Sequence, residues 1–461
     1  MLSRILFIVL TFALLLGPAV QAATGTFNDF LTPKAKELNE ELRKVTTPAQ
    51  VAEFLAKLEA MPDKGSEVLF YKAMLLPLKD FRYVIWRGRD LVSTSLTLHA
   101  RSLQILISLR KQLRDRYGDT AKAFYDYFTE IPATKEIAKA VGQFTSVGHV
   151  QDTLLALAAP EGPLGKALAR LELLARNPEF KLTIDRTVFL GMDFYLNQFS
   201  KRNAMRFVDH DDVIGLMGRL QRRIGQIYTL AMYDLDGIGP YTNEMMRLTA
   251  MENVFKNSFK PSDIHTVVIN SPFLRTKALR GNKVDANFLT LRPEGKEYSA
   301  KAISYFQQAI TNGRAWYLAS LDRPKEGSDY LYHAEFLYNR EKDKREAIDQ
   351  VFDLYNGDQP CSILENPNTG KTVRVCVRQF FENPPQDLKR LFANKFYENQ
   401  HRKNAVDHLH DYDYGHPTAF PDPTFRGLLP EANPQNVTDL IGVLRGIPAA
   451  AVLSRLFFIT G

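Results

Sequence analysis

Residues 209–232 read DHDDVIGLMGRLQRRIGQIYTLAM. Val213, Met217, Leu220, Ile224, Ile227 and Tyr228 recur at intervals of mostly three or four, the spacing that puts side chains on one face of an α-helix. The pattern predicts a helix over Asp211–Met232, with Arg219, Arg222 and Arg223 largely off its apolar stripe. Asp209, Asp211 and Asp212 stand where a helix begins, and carboxylates there satisfy free N–H groups and oppose the dipole. Capping accounts for Asp209-His210-Asp211-Asp212 better than a catalytic His–Asp pair.

Upstream, the same period repeats. Thr47-Pro48-Ala49-Gln50 has the form of a capping box with proline at the first helical position, followed by the stripe Val51, Phe54, Leu55 and Leu58. Further helices are predicted at Leu91–Arg116, Thr134–Val141, Leu164–Arg176, Val188–Phe199 and Tyr241–Lys256, so residues 23–257 read as an all-helical region. Residues 258–461 read as a mixed α/β region. His265–Ile269 and Asn287–Leu291 look like short strands, and helices are predicted at Ser299–Leu321, Ser328–Tyr355 and from Gln386 towards His408. A proline-rich C-terminal segment follows, ending in an apolar stretch, Ala449–Ile459, too short to span a bilayer.

The two cysteines, Cys361 and Cys376, flank β-prone runs separated by Asn366-Pro-Asn-Thr-Gly370. With Cys361 opposite Cys376, Glu365 faces Thr372 and Asn366 faces Lys371, leaving residues 367–370 as the loop. Opposed residues in an antiparallel ladder stand within disulfide reach. The fold class is therefore mainly α: a multi-helix array with a small β element containing a disulfide-closed hairpin.

The N-terminus bears on where such a disulfide persists. Met1–Arg4 is a short basic stretch, Ile5–Leu16 is almost unbroken hydrophobic sequence, Gly17-Pro18 breaks it, and Ala19-Val20-Gln21-Ala22 ends in small residues. This is the layout of a secretory signal peptide over residues 1–22, cleaved after Ala22. About 12 apolar residues are too few to anchor a chain across a hydrocarbon layer of roughly 30 Å. After cleavage no transmembrane segment remains, so an exported protein, periplasmic or secreted, is expected, and export favours oxidised cysteines.

Composition sets the remaining bounds. The chain has 461 residues, 45% hydrophobic and 24% charged, with 59 Lys+Arg against 52 Asp+Glu. These values exclude a disordered chain and a disulfide-dense miniprotein. The surplus of +7 is mild for this length. Lys201, Arg202, Arg206, Arg219, Arg222 and Arg223 could form a patch for an anionic envelope polymer or an envelope protein, and nucleic acid is not an expected partner of an exported chain.

One run carries metal-ligand chemistry. Residues 401–416 hold four of the nine histidines, and His408, His410, Asp411, Asp413 and His416 combine imidazoles with carboxylates as a divalent ion requires. A metal-dependent hydrolase is the functional alternative that follows. No His-Glu-x-x-His accompanies the run, and no Gly-x-Ser-x-Gly elbow occurs. Gly370-Lys371-Thr372 lacks the earlier glycine and following helix of a phosphate loop, and Asp234-Leu235-Asp236 lacks the later ligands of a calcium loop. The leading expectation is a binding or structural protein of the envelope compartment that needs no cofactor.

Overall fold

The computed structural model describes residues 32–88, 119–185, 205–236, 287, 289–321, 341–366, 369–388, 422, 424–433, 436, 439–440 and 443–444. Of these, 65% are helical, and the only sheets among them are two antiparallel pairs. The helices in chain order are α1 (Pro33–Arg43), α2 (Pro48–Ala60), α3 (Ser66–Leu75), α4 (Val84–Gly88), α5 (Lys135–Val141), α6 (Val147–Ala158) and α7 (Pro163–Ala175). After strands β1 (Lys181–Asp185) and β2 (Met205–Asp209) come α8 (His210–Ala231), α9 (Gly295–Leu321) and α10 (Glu341–Asn356). Strands β3 (Ser362–Glu365) and β4 (Thr372–Val375) and the short α11 (Val377–Glu382) complete the set. Residues 119–129 are also helical. Among the described residues no helix is long and apolar enough to cross a membrane.

The long stripe of residues 209–232 forms α8. Asp209 caps it by accepting from the Asp212 N–H at 2.9 Å, and the Asp212 carboxylate accepts in return from the Asp209 N–H at 3.4 Å. Val213, Ile224, Ile227 and Tyr228 are buried as the spacing predicts. Burial extends beyond that stripe, because α6, α7 and α9 all pack against α8. The contact with α9 is the most extensive between any two elements. At Gly218 the helices approach so closely that a Cβ would stand 2.9 Å from the Ala309 carbonyl oxygen and 3.1 Å from the Gly313 nitrogen. A side-chain ladder runs along the same seam: Gln221 donates to Gln308 at 3.1 Å and Asn312 donates to Gln221 at 2.7 Å.

Further along the seam, Phe306 of α9 is fully buried against Gly225 of α8, and its ring also lies 6.2 Å from Tyr355 of α10 and 5.8 Å from Phe381 of α11. Among the N-terminal helices, α2 has the capping box read from its sequence, and Val51, Phe54, Leu55 and Leu58 are buried. The apolar core is continuous from Ala35 of α1 to Val443.

The cysteine hairpin forms in the expected register. Glu365 pairs with Thr372, the Asn366 N–H donates to the Lys371 carbonyl at 2.9 Å, and Cys361 is bonded to Cys376. Gly370 takes φ +65°, a left-handed turn conformation that glycine adopts without steric cost. The Cys376 N–H donates to the Leu428 carbonyl, and the Asn366 side chain donates to the Val443 carbonyl. The hairpin thereby fastens the proline-rich segment to the core.

Two expectations need correction. Residues 23–257 are not all helical, because β1 and β2 pair within them, from Lys181 opposite Asp209 to Asp185 opposite Met205. Each strand has five residues and gains its stability from its distant partner and from burial of Leu182, Ile184 and Val208, not from a local pattern. Asn287–Leu291 is not a sheet strand either. Leu289 has φ +61°, which interrupts the extended run and leaves single bridges, Thr290 to Asp387 and Leu291 to Tyr233.

Several expectations fall outside the described residues: the signal peptide at 1–22, the helices at 91–116, 188–199 and 241–256, the strand at 265–269, and the tail at 449–459. The boundary between residues 257 and 258 also lies outside them, although α8 before it and α9 after it share one core.

Candidate functional site

The arrangement with most chemical potential among the described residues begins where α3 gives way to a 3-10 turn over Leu76–Phe81 and then to α4. At this junction Tyr83 adopts φ +60°, a conformation that costs a bulky residue about 1–3 kcal/mol and must be held by its surroundings. The Arg87 N–H donates to the Tyr83 carbonyl at 2.8 Å, starting α4. The Tyr127 hydroxyl donates to the Lys79 carbonyl at 3.1 Å, closing the junction against the 119–129 helix. Burial pushes the Tyr127 hydroxyl up to about 12, so it stays a neutral donor.

Two arginines of this segment lie over aromatic rings, with different surroundings. The Arg82 guanidinium is 4.7 Å from the Tyr83 ring centroid and 5.3 Å from that of Tyr127, and its Nε donates to Glu130 at 2.8 Å. Burial disfavours the Arg82 charge, but the hydrogen bond and negative charge of Glu130, helped by Tyr83 and Tyr127, together outweigh it and the pKa lies above the ordinary arginine value. Arg87 lies 4.1 Å from the Phe144 ring centroid. Its Nε is buried and makes no hydrogen bond, and no carboxylate pairs with it among the described residues. Burial alone therefore pulls its pKa below the ordinary value, although arginine remains charged at any physiological pH.

Phe144 is held firmly in place. Its N–H donates to the Arg87 carbonyl at 2.9 Å, its side chain is buried, and the His149 ring meets it edge-to-face with centroids 5.5 Å apart. Just beyond it Ser146 caps α6 by accepting from the His149 N–H at 3.1 Å. The result is a partly buried guanidinium over a rigid aromatic face, whose terminal nitrogens are suited to charge-assisted, two-pronged bonding to a carboxylate or phosphate.

The residues singled out from the sequence are placed differently. His401, His408, His410, Asp411, Asp413 and His416 lie outside the described residues, and no group of three or more His, Cys, Asp or Glu side chains suited to a metal occurs among the described ones. His210 presents Nε2 to the Ala175 carbonyl at 3.0 Å and Nδ1 to Asp211 at 3.4 Å, while the buried Asp212 faces the Trp316 Nε1 at 3.4 Å. These contacts fasten α8 to α7 and α9. Asp234 accepts from the Asp236 N–H at 2.9 Å, and Asp236 accepts from the Gly148 N–H at 2.6 Å, so the pair forms a turn that tethers the start of α6. Gly370, Lys371 and Thr372 belong to the hairpin turn and β4.

The described side chains of the expected basic patch are limited to Arg219, Arg222 and Arg223. Lys201 and Arg202 lie outside the described residues. Arg219 stacks 5.3 Å from the Trp316 ring, Arg223 donates to Gln226 at 2.9 Å, and Arg219, Arg222 and Arg223 are all partly buried. The paired and unpaired arginines at 82 and 87 were not singled out from the sequence. The signal available was Phe81-Arg82-Tyr83-Val84-Ile85-Trp86-Arg87, where arginines interleave with aromatics. No protein-family model matches this chain, and no curated protein or solved structure matches it either.

Proposed function

We propose that the protein is an exported, soluble helical protein of the cell-envelope compartment, periplasmic or secreted, that binds an anionic envelope polymer or an envelope protein without transforming it. The observation that carries this reading is the Cys361–Cys376 disulfide, which joins the only two cysteines of the chain. Disulfides of this kind persist in oxidising compartments and are rare in the cytosol. The apolar run after Arg4 and the small residues at 19–22 supply the matching export signal. Nucleic acid is not among the proposed partners, since an exported chain with a mild net charge of +7 would meet lipids and wall polymers first.

The test is co-sedimentation of the purified mature protein with isolated envelope material, compared with an uncharged polysaccharide of similar size. Binding to the envelope fraction that weakens with added salt is expected, because charge-based recognition is screened. Equal recovery with the neutral polymer would overturn the reading. The competing reading, a metal-dependent hydrolase using His408, His410, Asp411, Asp413 and His416, rests on the composition of residues 401–416 and is decided by metal analysis of the same preparation.

A further inference from the structure

We infer that Arg87, stacked on Phe144, is the residue that takes an oxyanion group of the partner, a carboxylate or phosphate carried on a slender polymer. This rests on the reading of the protein as an anion-binding envelope protein and names the site at which it would act.

Two arginines of one short segment differ in how their charge is met. Arg82 and Arg87 both lie over aromatic rings, and burial weighs against the charge of both. Arg82 is compensated by Glu130 at 2.8 Å. Among the described residues no such carboxylate faces Arg87, and its Nε is buried without a hydrogen bond. A partly buried guanidinium without a counter-charge costs stability, and an oxyanion bonded to its terminal nitrogens, which unlike Nε are not buried, would offset that cost through charge-assisted hydrogen bonds. The face beneath it is preformed: Phe144 is buried, edge-packed by His149 and tied through its backbone to Arg87 itself. Little ordering is then needed on binding, which favours affinity.

The number of available cations selects the carrier. A flat anionic membrane is recognised by clusters of exposed Lys and Arg. Here a single guanidinium is partly buried beside an aromatic ring, and the neighbouring Arg82 is already engaged. One guanidinium engages one oxyanion at a time, which a chain of spaced anionic groups can offer.

The experiment uses the full mature protein with fluorescently labelled polyphosphate and labelled polyglutamate of equal charge, the two arms separating phosphate from carboxylate. Wild type should bind at least one of them. Arg87→Gln should weaken that binding by about tenfold or more, with Arg87→Lys between the two, since lysine keeps the charge and loses the fork. A second measurement needs no variant: in the wild-type protein, bound polymer should slow modification of Arg87 by phenylglyoxal, mapped by peptide mass. Wild-type affinity in Arg87→Gln, or unprotected Arg87 under saturating polymer, would overturn the site assignment and leave the anion-binding function standing. Failure of wild type to bind either polymer would overturn both. Binding confined to phosphatidylglycerol vesicles would overturn the choice of a slender carrier.

Discussion

Replacing Gly218 and Gly313 by alanine, one at a time, tests the α8–α9 seam with an internal reference. Both glycines lie inside long helices, so each substitution gains the same helix-propensity term, about 1 kcal/mol. They differ in what the new methyl group meets. At Gly218 it would stand 2.9 Å from the Ala309 carbonyl oxygen, 3.1 Å from the Gly313 nitrogen and 3.2 Å from the Asn312 Cβ. The first two are backbone atoms of α9, which yield only if the helices separate. At Gly313 an added Cβ meets nothing within 4 Å. Subtracting one variant from the other cancels the propensity gain and leaves the overpacking cost, about 1–3 kcal/mol. Gly313→Ala should be more stable than wild type by up to about 1 kcal/mol, and Gly218→Ala less stable than Gly313→Ala by that packing cost. Urea unfolding followed by far-UV circular dichroism, read as midpoints at a shared slope, measures both. A Gly218→Ala protein as stable as Gly313→Ala would show that the helices do not approach as described.

Replacing both cysteines by serine should cost about 3 kcal/mol of stability, the loop-closure value for a 15-residue separation, seen as a lower urea midpoint; an unchanged midpoint would mean that the staple contributes nothing. Burial tends to raise the Asp63 carboxyl, but hydrogen bonds from Lys72 at 2.5 Å and Arg170 at 3.1 Å hold its pKa below the ordinary value. Its stabilising contribution is then complete above about pH 4 and lost as pH falls through the lowered value. The deficit of Asp63→Asn at neutral pH should shrink on acidification, and a deficit constant down to pH 2 would refute the pairing. Protein purified without chelator should contain substoichiometric metal, unchanged by His408→Ala with His410→Ala; one bound ion per chain, lost in that double variant, would favour the hydrolase.

Legibility followed how local each interaction is. The hairpin register could be read because two cysteines and a Pro–Asn–Thr–Gly turn lie within sixteen residues and constrain each other. The α8 stripe was equally legible, since helical period is a local property. What the stripe did not reveal was burial on its other faces, because Gly218, Gln221 and Gln226 owe theirs to α9, α6 and α7 arriving from elsewhere in the chain. The β1–β2 pair was missed for the same reason, each strand being too short to announce itself without its partner. The Arg87–Phe144 stack joins residues far apart in sequence, and nothing local distinguishes Arg87 from Arg82; only the position of Glu130 does.

Export and disulfide formation are both read on protein recovered from the envelope compartment of expressing cells, by N-terminal sequencing and thiol titration after denaturation without reductant. The recovered chain should begin at Ala23 and carry no reactive thiol. A cytosolic chain retaining Met1–Ala22 and carrying two reactive thiols would contradict it.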